Sequence, residues 1–172
     1  VMQWIESFCD KFSKYLGIFI AFLLIIMMIN VAFDTMNRYL MNSNSVALQE
    51  MEWHLFSVII LLGTSYALNE EGHVRVDIFY TNFSAKKKAI INMIGVVTFL
   101  LPLSLLVAFG SLGFVKEAYV FMEQSGDPGG LHYRFIIKGL IPTSFFILIF
   151  MSFGYFARNY NLLKRLNSGS KS

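Results

Sequence analysis

The amino-acid sequence predicts an all-α integral membrane protein with four transmembrane helices. Of its 172 residues, 56% are hydrophobic and only 15% are charged, whereas a soluble domain usually carries about 25% charged residues. The charged residues are also clustered, and residues 15–33 contain none of them. Charged side chains are costly in hydrocarbon, and helices satisfy their own backbone hydrogen bonds there. The pattern is therefore typical of helices that cross a bilayer.

The first span is predicted over residues 15–39, with Lys14 at one membrane interface and Arg38 at the other. At about 1.5 Å per residue, this length crosses a hydrocarbon core of about 30 Å. Lys11 and Lys14 before an apolar run resemble a signal peptide, but no cleavage site of small residues follows. We therefore expect this segment to be retained as a membrane span.

The second and third spans are predicted over residues 46–69 and 88–123. The connection at residues 41–45 is so short that the first two helices must form an antiparallel hairpin. The third span would be about 50 Å long if unbroken, so it must tilt, kink or protrude from the bilayer. Pro102 favours a kink, because it removes one backbone hydrogen bond and frees the carbonyl of Thr98.

The polar segment between the second and third spans, residues 69–85, is predicted to lie flat at the membrane interface. Apolar and polar side chains alternate in it: Val74, Val76 and Ile78 against His73, Arg75 and Asp77. Ser84 is predicted to be the N-cap of the third helix.

The fourth span is predicted over residues 135–155, with Pro142 inside it. The preceding residues 124–131 have the composition of a turn, because proline and glycine supply fixed and left-handed backbone. A basic tail follows at residues 158–172, and we expect its last residues to be disordered. The whole chain is thus predicted to form a single four-helix membrane domain.

The distribution of lysine and arginine predicts that both termini are cytoplasmic. With the amino terminus inside, the inner side holds ten of them and the outer side four, and an excess of positive charge marks the cytoplasmic side. The inner set is Lys11, Lys14, Arg75, Lys86, Lys87, Lys88, Arg158, Lys164, Arg165 and Lys171, and the outer set is Arg38, Lys116, Arg134 and Lys138.

Polar side chains near the outer ends of the first two spans are predicted to lock these helices together. Asn30, Asp34 and Arg38 recur every four residues and share one helix face. Glu50 and Glu52 begin the second span at the same depth, so we expect Arg38 to reach one of them. An ion or proton site is the alternative, but these carboxylates lie at the edge of the bilayer rather than in its middle.

Two other polar positions could carry chemistry, and each also has a structural explanation. His73, Arg75 and Asp77 could form a metal or acid–base cluster, yet their alternating spacing fits a solvated interfacial face. Lys138 could be a coupling residue at the mouth of the fourth span. Pro142 leaves the carbonyl of Lys138 without its helical partner, so a local kink also explains this spot.

Several function classes find no support in the sequence. The three histidines, His54, His73 and His132, are predicted at different depths, which argues against a haem held by two imidazoles. The single cysteine, Cys9, cannot form an internal disulfide or a thiolate metal site. No nucleophile with a base and no phosphate-binding loop is present, so we expect neither enzymatic activity nor a cofactor. There is also no soluble basic face for nucleic acid.

The residues alone indicate a small helical scaffold whose apolar faces are available to a larger partner. No charged residue is predicted at mid-depth, and Pro102 and Pro142 do not form a matching pair of broken helices, so a complete transporter is not indicated. Two alternatives stay open: a membrane anchor of a redox complex, and a stand-alone small channel or exporter.

Four stretches together resemble the small membrane subunit of TRAP transporters, the tripartite ATP-independent periplasmic family. They are residues 48–56, 72–78, 125–131 and 137–142, and their order and spacing on four spans carry the resemblance, which covers about residues 10–158. His132 departs from the pattern, because the family resemblance predicts proline after Gly-Gly-Leu.

The resemblance implies a Na⁺-coupled importer of an organic acid in a bacterial inner membrane. A large elevator-type membrane subunit would carry the Na⁺ and substrate sites, a periplasmic binding protein would deliver the substrate, and this chain would be the scaffold. The structural or interface candidates are Asp34, Arg38, Glu50, Glu52, His73, Arg75, Asp77 and Lys138. The candidates for docking the periplasmic protein are Glu123, Ser125, Asp127, His132 and Arg134.

Overall fold

The computed structural model describes residues 2–70 and 83–169, and these residues are helical apart from short connections. The elements are α1 (Met2–Met41), α2 (Val46–Asn69), α3 (Ala85–Gly95), a π-helical turn (Val96–Leu100), α4 (Leu101–Val120) and α5 (Phe135–Gly169). Four stretches of the described chain are long and apolar enough to cross a membrane: α1, α2, α3 with α4, and α5. The predicted all-α fold with four spans is therefore confirmed.

The first and last helices, α1 and α5, are longer than the hydropathy pattern predicts. The second span has its predicted bounds, but α1 begins at Met2 rather than near residue 15, and α5 continues to Gly169 rather than ending near residue 155. These extensions bury side chains on each other, since Cys9 on α1 and Ala157 on α5 are each 1% exposed. Packing between side chains thus stabilises both helices beyond the apolar residues that define their membrane spans. The basic tail is helical to Gly169, and residues 170–172 lie outside the described part.

Directly before Pro102, where the sequence predicts a kink, the third span contains a π-helical turn. The N–H of Leu101 donates to the carbonyl of Val96, five residues earlier, which is the hydrogen bond of a π-helix. Pro102, which has no N–H to donate, follows this turn directly. Ser84 is the N-cap of α3, where its Oγ accepts a hydrogen bond from the N–H of Lys87 at 3.4 Å. This prediction is also confirmed.

Helix α5 is the centre of the bundle, because it packs against α1, α2, α3 and α4. Helices α1 and α2 pack against each other as the predicted hairpin. Two glycines allow close approach: a Cβ at Gly17 would lie 2.6 Å from the Tyr66 ring, and a Cβ at Gly154 would overlap Cys9. Small residues of this kind let membrane helices come together.

Candidate functional site

Polar networks tie the helices together at both ends of the bundle. We call the end with residues 42–45 and 121–134 the loop end, and the end with Met2 and Gly169 the terminal end. The loop end carries most of the predicted site residues.

At the loop end, the carboxylate of Glu50 binds the 121–134 loop. Glu50 lies in the second turn of α2 and is only 5% exposed. Its Oε1 accepts a short hydrogen bond from the Ser125 hydroxyl, and its Oε2 accepts one from the N–H of Leu131 at 2.5 Å. Both oxygens are thereby used, and a charged acceptor makes such hydrogen bonds strong. We call this arrangement the Glu50 clamp.

The 121–134 loop is shaped so that it closes around the Glu50 clamp. The N–H of Ser125 donates to the carbonyl of Leu131 at 3.1 Å, and the N–H of Gly130 donates to that of Asp127 at 3.0 Å. A Cβ at Gly130 would lie 2.5 Å from Ser125 Oγ and 2.9 Å from Glu50 Oε2. Position 130 therefore has no room for a side chain.

The prediction that Arg38 forms an ion pair with Glu50 or Glu52 at the start of α2 is wrong. The Arg38 guanidinium instead forms a short ion pair with Asp34, one turn earlier on α1. Glu50 points into the loop, and its oxygens are taken there, which leaves Arg38 to its helical neighbour. The two helices are linked nearby by Asn30, whose Nδ2 donates to the carbonyl of Leu48 at 3.0 Å. Asp34 is 2% exposed.

Three other predicted site residues at the loop end, Glu52, Asp127 and His132, lie in separate surroundings. Glu52 lines a shallow cleft together with Met27, Gln49, Trp53 and Phe56. The N–H of Asp127 donates to Ser125 Oγ at 3.2 Å, so it supports the loop. The His132 ring is exposed and lies 6.3 Å from the Tyr133 ring, centroid to centroid. These three side chains are not gathered into one site.

Lys138 and Glu123 form an ion pair between the start of α5 and the beginning of the loop. The Lys138 ammonium also lies 3.9 Å from the centroid of the Phe114 ring, a cation–π contact. One turn earlier, the guanidinium carbon of Arg134 lies 5.4 Å from the Trp53 ring centroid. Lys138 thus links the start of α5 to Glu123 and to the Phe114 ring of α4.

An open groove of about 480 Å³ runs down from these charges between α2, α4 and α5. Its upper rim carries Glu123, Arg134 and Lys138, and its walls are almost entirely apolar. The wall residues are Trp53, Phe56, Ser57, Ile60 and Leu61 on α2, Phe114 on α4, and Ile137 and Ile141 on α5. We call it the loop-end groove. It was not predicted, because its walls come from three helices that are distant in sequence.

At the terminal end, Arg158 ties α5 to α1 and α2. Its guanidinium forms a short ion pair with Asp10 and donates to the backbone carbonyl of Asn69 at 2.8 Å. The Asn69 side chain completes the network, since its Nδ2 donates to Asp10 Oδ1 at 3.2 Å. Nearby, Asn92 of α3 donates to Asn159 Oδ1 of α5 at 3.0 Å. Sequence reasoning missed this network because it ended the fourth span near residue 155.

The predicted interfacial residues His73, Arg75 and Asp77 lie outside the described residues. Among the residues that the structure describes, no group of three or more histidine, cysteine or acidic side chains is placed to hold a metal ion. The polar side chains at both ends of the bundle serve to position helices and a loop.

Fold and polar contacts together define a class, namely a four-span α-helical membrane protein whose loop end carries an ordered 14-residue loop. The family model described as "Tripartite ATP-independent periplasmic transporters, DctQ component" matches residues 27–162. The chain belongs to this family and is a TRAP transporter small membrane subunit, as the sequence resemblance indicated.

A curated relative supports the same assignment. A protein from Haemophilus influenzae (strain ATCC 51907 / DSM 11121 / KW20 / Rd) named as a TRAP transporter small permease is 27% identical over 152 residues. The alignment covers 88% of this chain and 94% of the relative. No solved structure matches the chain significantly.

Proposed function

We propose that this chain is the scaffold subunit of a Na⁺-coupled TRAP transporter that imports an organic acid across a bacterial inner membrane. A large elevator-type membrane subunit would carry the Na⁺ and substrate sites, and a periplasmic binding protein would deliver the substrate. The main observation behind the proposal is the family match. It covers the second and third spans completely and parts of the first and fourth. The structure supports a scaffold because its polar side chains hold the helix ends in place.

The outer faces of the helices suit a scaffold that packs against a larger membrane protein. On α1, large apolar side chains are exposed along nearly its full length, among them Ile18, Phe22, Ile25, Ile29 and Phe33. Hydrophobic burial does not drive helices together within lipid, so such a face accepts either lipid or a closely fitting helix. We expect part of this surface to contact the large subunit.

We further propose that both termini are cytoplasmic and that the loop end is periplasmic, following the excess of Lys and Arg at the terminal end. The 121–134 loop would then be presented to the binding protein. The Glu50 clamp supports this role, because a loop held in one conformation loses less conformational entropy on binding.

Co-purification and uptake test the scaffold proposal. The chain is tagged in its native membrane and purified in mild detergent, and its partners are identified by mass spectrometry. We expect a large multi-span membrane subunit to co-purify, and uptake of the organic acid driven by a Na⁺ gradient to be lost when the chain is deleted. Recovery of a haem-bearing soluble enzyme would support the redox-anchor alternative, and flux from the purified chain alone would support a channel.

A matched pair of glycine variants tests the docking role of the loop. Gly130→Ala places a methyl group against Ser125 and Glu50, whereas a Cβ at Gly126 in the same loop meets nothing within 4 Å. We expect Gly130→Ala to weaken binding of the periplasmic protein to the membrane complex and Gly126→Ala to leave it nearly unchanged. Equal binding by both variants, with the complex intact, would contradict docking at this loop.

A further inference from the structure

We propose that the loop-end groove is a binding site for one anionic phospholipid, with its phosphate at Arg134 and one acyl chain along the apolar walls. The proposal is independent of the transported substrate and concerns this chain's own surface. It rests on the composition, the charge and the length of the groove.

The groove has an apolar part and a charged end, as a phospholipid molecule does. Its walls are apolar, and its charged side chains lie together at the rim next to the loop. Several wall residues are large and well exposed: Phe56 is 52% exposed, Ile60 48% and Phe114 47%. Its volume of about 480 Å³ falls within the range of about 300–1,000 Å³ for small-ligand sites.

The charges of the rim fit a phosphate. Two cations, Arg134 and Lys138, and one anion, Glu123, give the lining a formal charge of +1. Lys138 is ion-paired with Glu123, so Arg134 carries the positive charge left in the lining. The Glu50 carboxylate attracts Arg134 from outside the groove, but both of its oxygens already accept hydrogen bonds from the loop. The Arg134 side chain is partly buried beside the Trp53 ring. A guanidinium held in this way can offer two parallel N–H groups to phosphate oxygens.

The length of the groove favours a lipid chain over a helix of a partner. Its α2 wall runs from Trp53 to Leu61, and the eight helical steps between these residues rise about 12 Å along the helix axis. One leaflet of the hydrocarbon core is about 15 Å thick. A partner helix would need a groove that crosses the whole bilayer, whereas an acyl chain needs only one leaflet.

Fluorescence quenching by brominated lipids tests the proposal directly. The chain has two tryptophans, and Trp53 lines the groove, whereas Trp4 lies on α1 at the terminal end. The full-length Trp4→Phe variant is reconstituted into phosphatidylcholine vesicles that contain increasing fractions of brominated phosphatidylglycerol or brominated phosphatidylcholine. We expect half-maximal quenching of Trp53 at a several-fold lower fraction of the anionic lipid.

Variants on this background separate the site from the surrounding bilayer. Arg134→Gln should reduce the selectivity for phosphatidylglycerol by about fivefold to tenfold, the equivalent of one lost ordinary hydrogen bond. Arg134→Lys should retain part of it, and Lys116→Gln, which removes an exposed cation outside the groove, should retain it all. Ser57→Phe should occupy the groove and weaken quenching by both lipids.

Several results would overturn the proposal. Equal quenching by the two lipids in the Trp4→Phe chain would mean that the groove does not prefer an anionic phospholipid. Unchanged selectivity in Arg134→Gln would remove the phosphate assignment. A second measurement uses native mass spectrometry of the complex purified with its membrane partner. There we expect a retained phospholipid that Ser57→Phe displaces, and a complex that carries no lipid before the substitution would mean that a partner helix fills the groove.

Discussion

At the loop end a carboxylate on a helix, Glu50, binds the hydroxyl and backbone of a loop, whereas at the terminal end a guanidinium, Arg158, binds two other helices. The loop end has a connection that can wrap around one acid, because the 14 residues from 121 to 134 join two helices there. At the terminal end, Arg158 links three helices directly, through the Asp10 carboxylate on α1 and the Asn69 carbonyl on α2. One end is thus held by an acid that fixes a loop, and the other by a base that joins helices.

The largest expected effect comes from the helix contact at the terminal end. In Gly154→Ala a methyl group would overlap the Cys9 side chain, and we expect a loss of about 3 kcal/mol in unfolding free energy, as for overpacked cores. Thermal unfolding in detergent measures it. Gly139→Ala is the control in the same helix, because its Cβ would meet only Val115 at 3.9 Å. If both variants unfold alike, close packing of α1 on α5 does not hold the terminal end.

Removing the Glu50 clamp is expected to cause the second largest loss of unfolding free energy. Glu50→Ala leaves the buried N–H of Leu131 and the Ser125 hydroxyl without their acceptor, and we expect a loss of about 2 kcal/mol. The loop should also become sensitive to protease added from its side, while α2 stays protected. Glu52→Ala is the matched control on the same helix turn. Equal protease sensitivity in the two variants would contradict the clamp.

The Arg158 network should contribute less, because its ion pair is partly solvated. The side chains of Arg158 and Asp10 are 28% and 46% exposed, so we expect Arg158→Met to cost about 1 kcal/mol. The loss should shrink in high salt, because screening weakens exposed ion pairs. Lys164→Met removes an exposed cation from the same helix and should have no measurable effect. A salt-independent loss would show that the hydrogen bonds to Asn69 dominate.

The smallest effect is expected at Arg38, and it distinguishes the observed pair from the predicted one. The Arg38 side chain is 49% exposed, so water can take its place beside the Asp34 carboxylate, and Arg38→Met should cost only about 0.5 kcal/mol. Adding Asp34→Asn should recover part of this loss, because the buried carboxylate is then uncharged. Adding Glu50→Gln should instead produce an independent further loss. Recovery by Glu50→Gln would restore the original prediction of a pair between α1 and α2.

Sequence reasoning succeeded where a local rule was sufficient. The bounds of the second helix and the N-cap at Ser84 each depend on residues within a few turns of each other. It failed where the partner lay far along the chain. Glu50 and Leu131 are 81 residues apart, and no spacing rule could have paired them. Arg38 was assigned across the hairpin although a nearer partner existed one turn away.

By itself, the sequence determined that this chain crosses a membrane as four helices, because composition and hydropathy are properties of each segment alone. Its resemblance to the small TRAP subunits came from four motif stretches in their order along the chain. Only the tertiary structure decided how far α1 and α5 extend, which groups bind Glu50 and Arg158, and that three helices enclose a groove. These features depend on contacts between distant segments. Their physical reason is that a buried polar group takes whatever partner the packed helices bring within hydrogen-bonding distance.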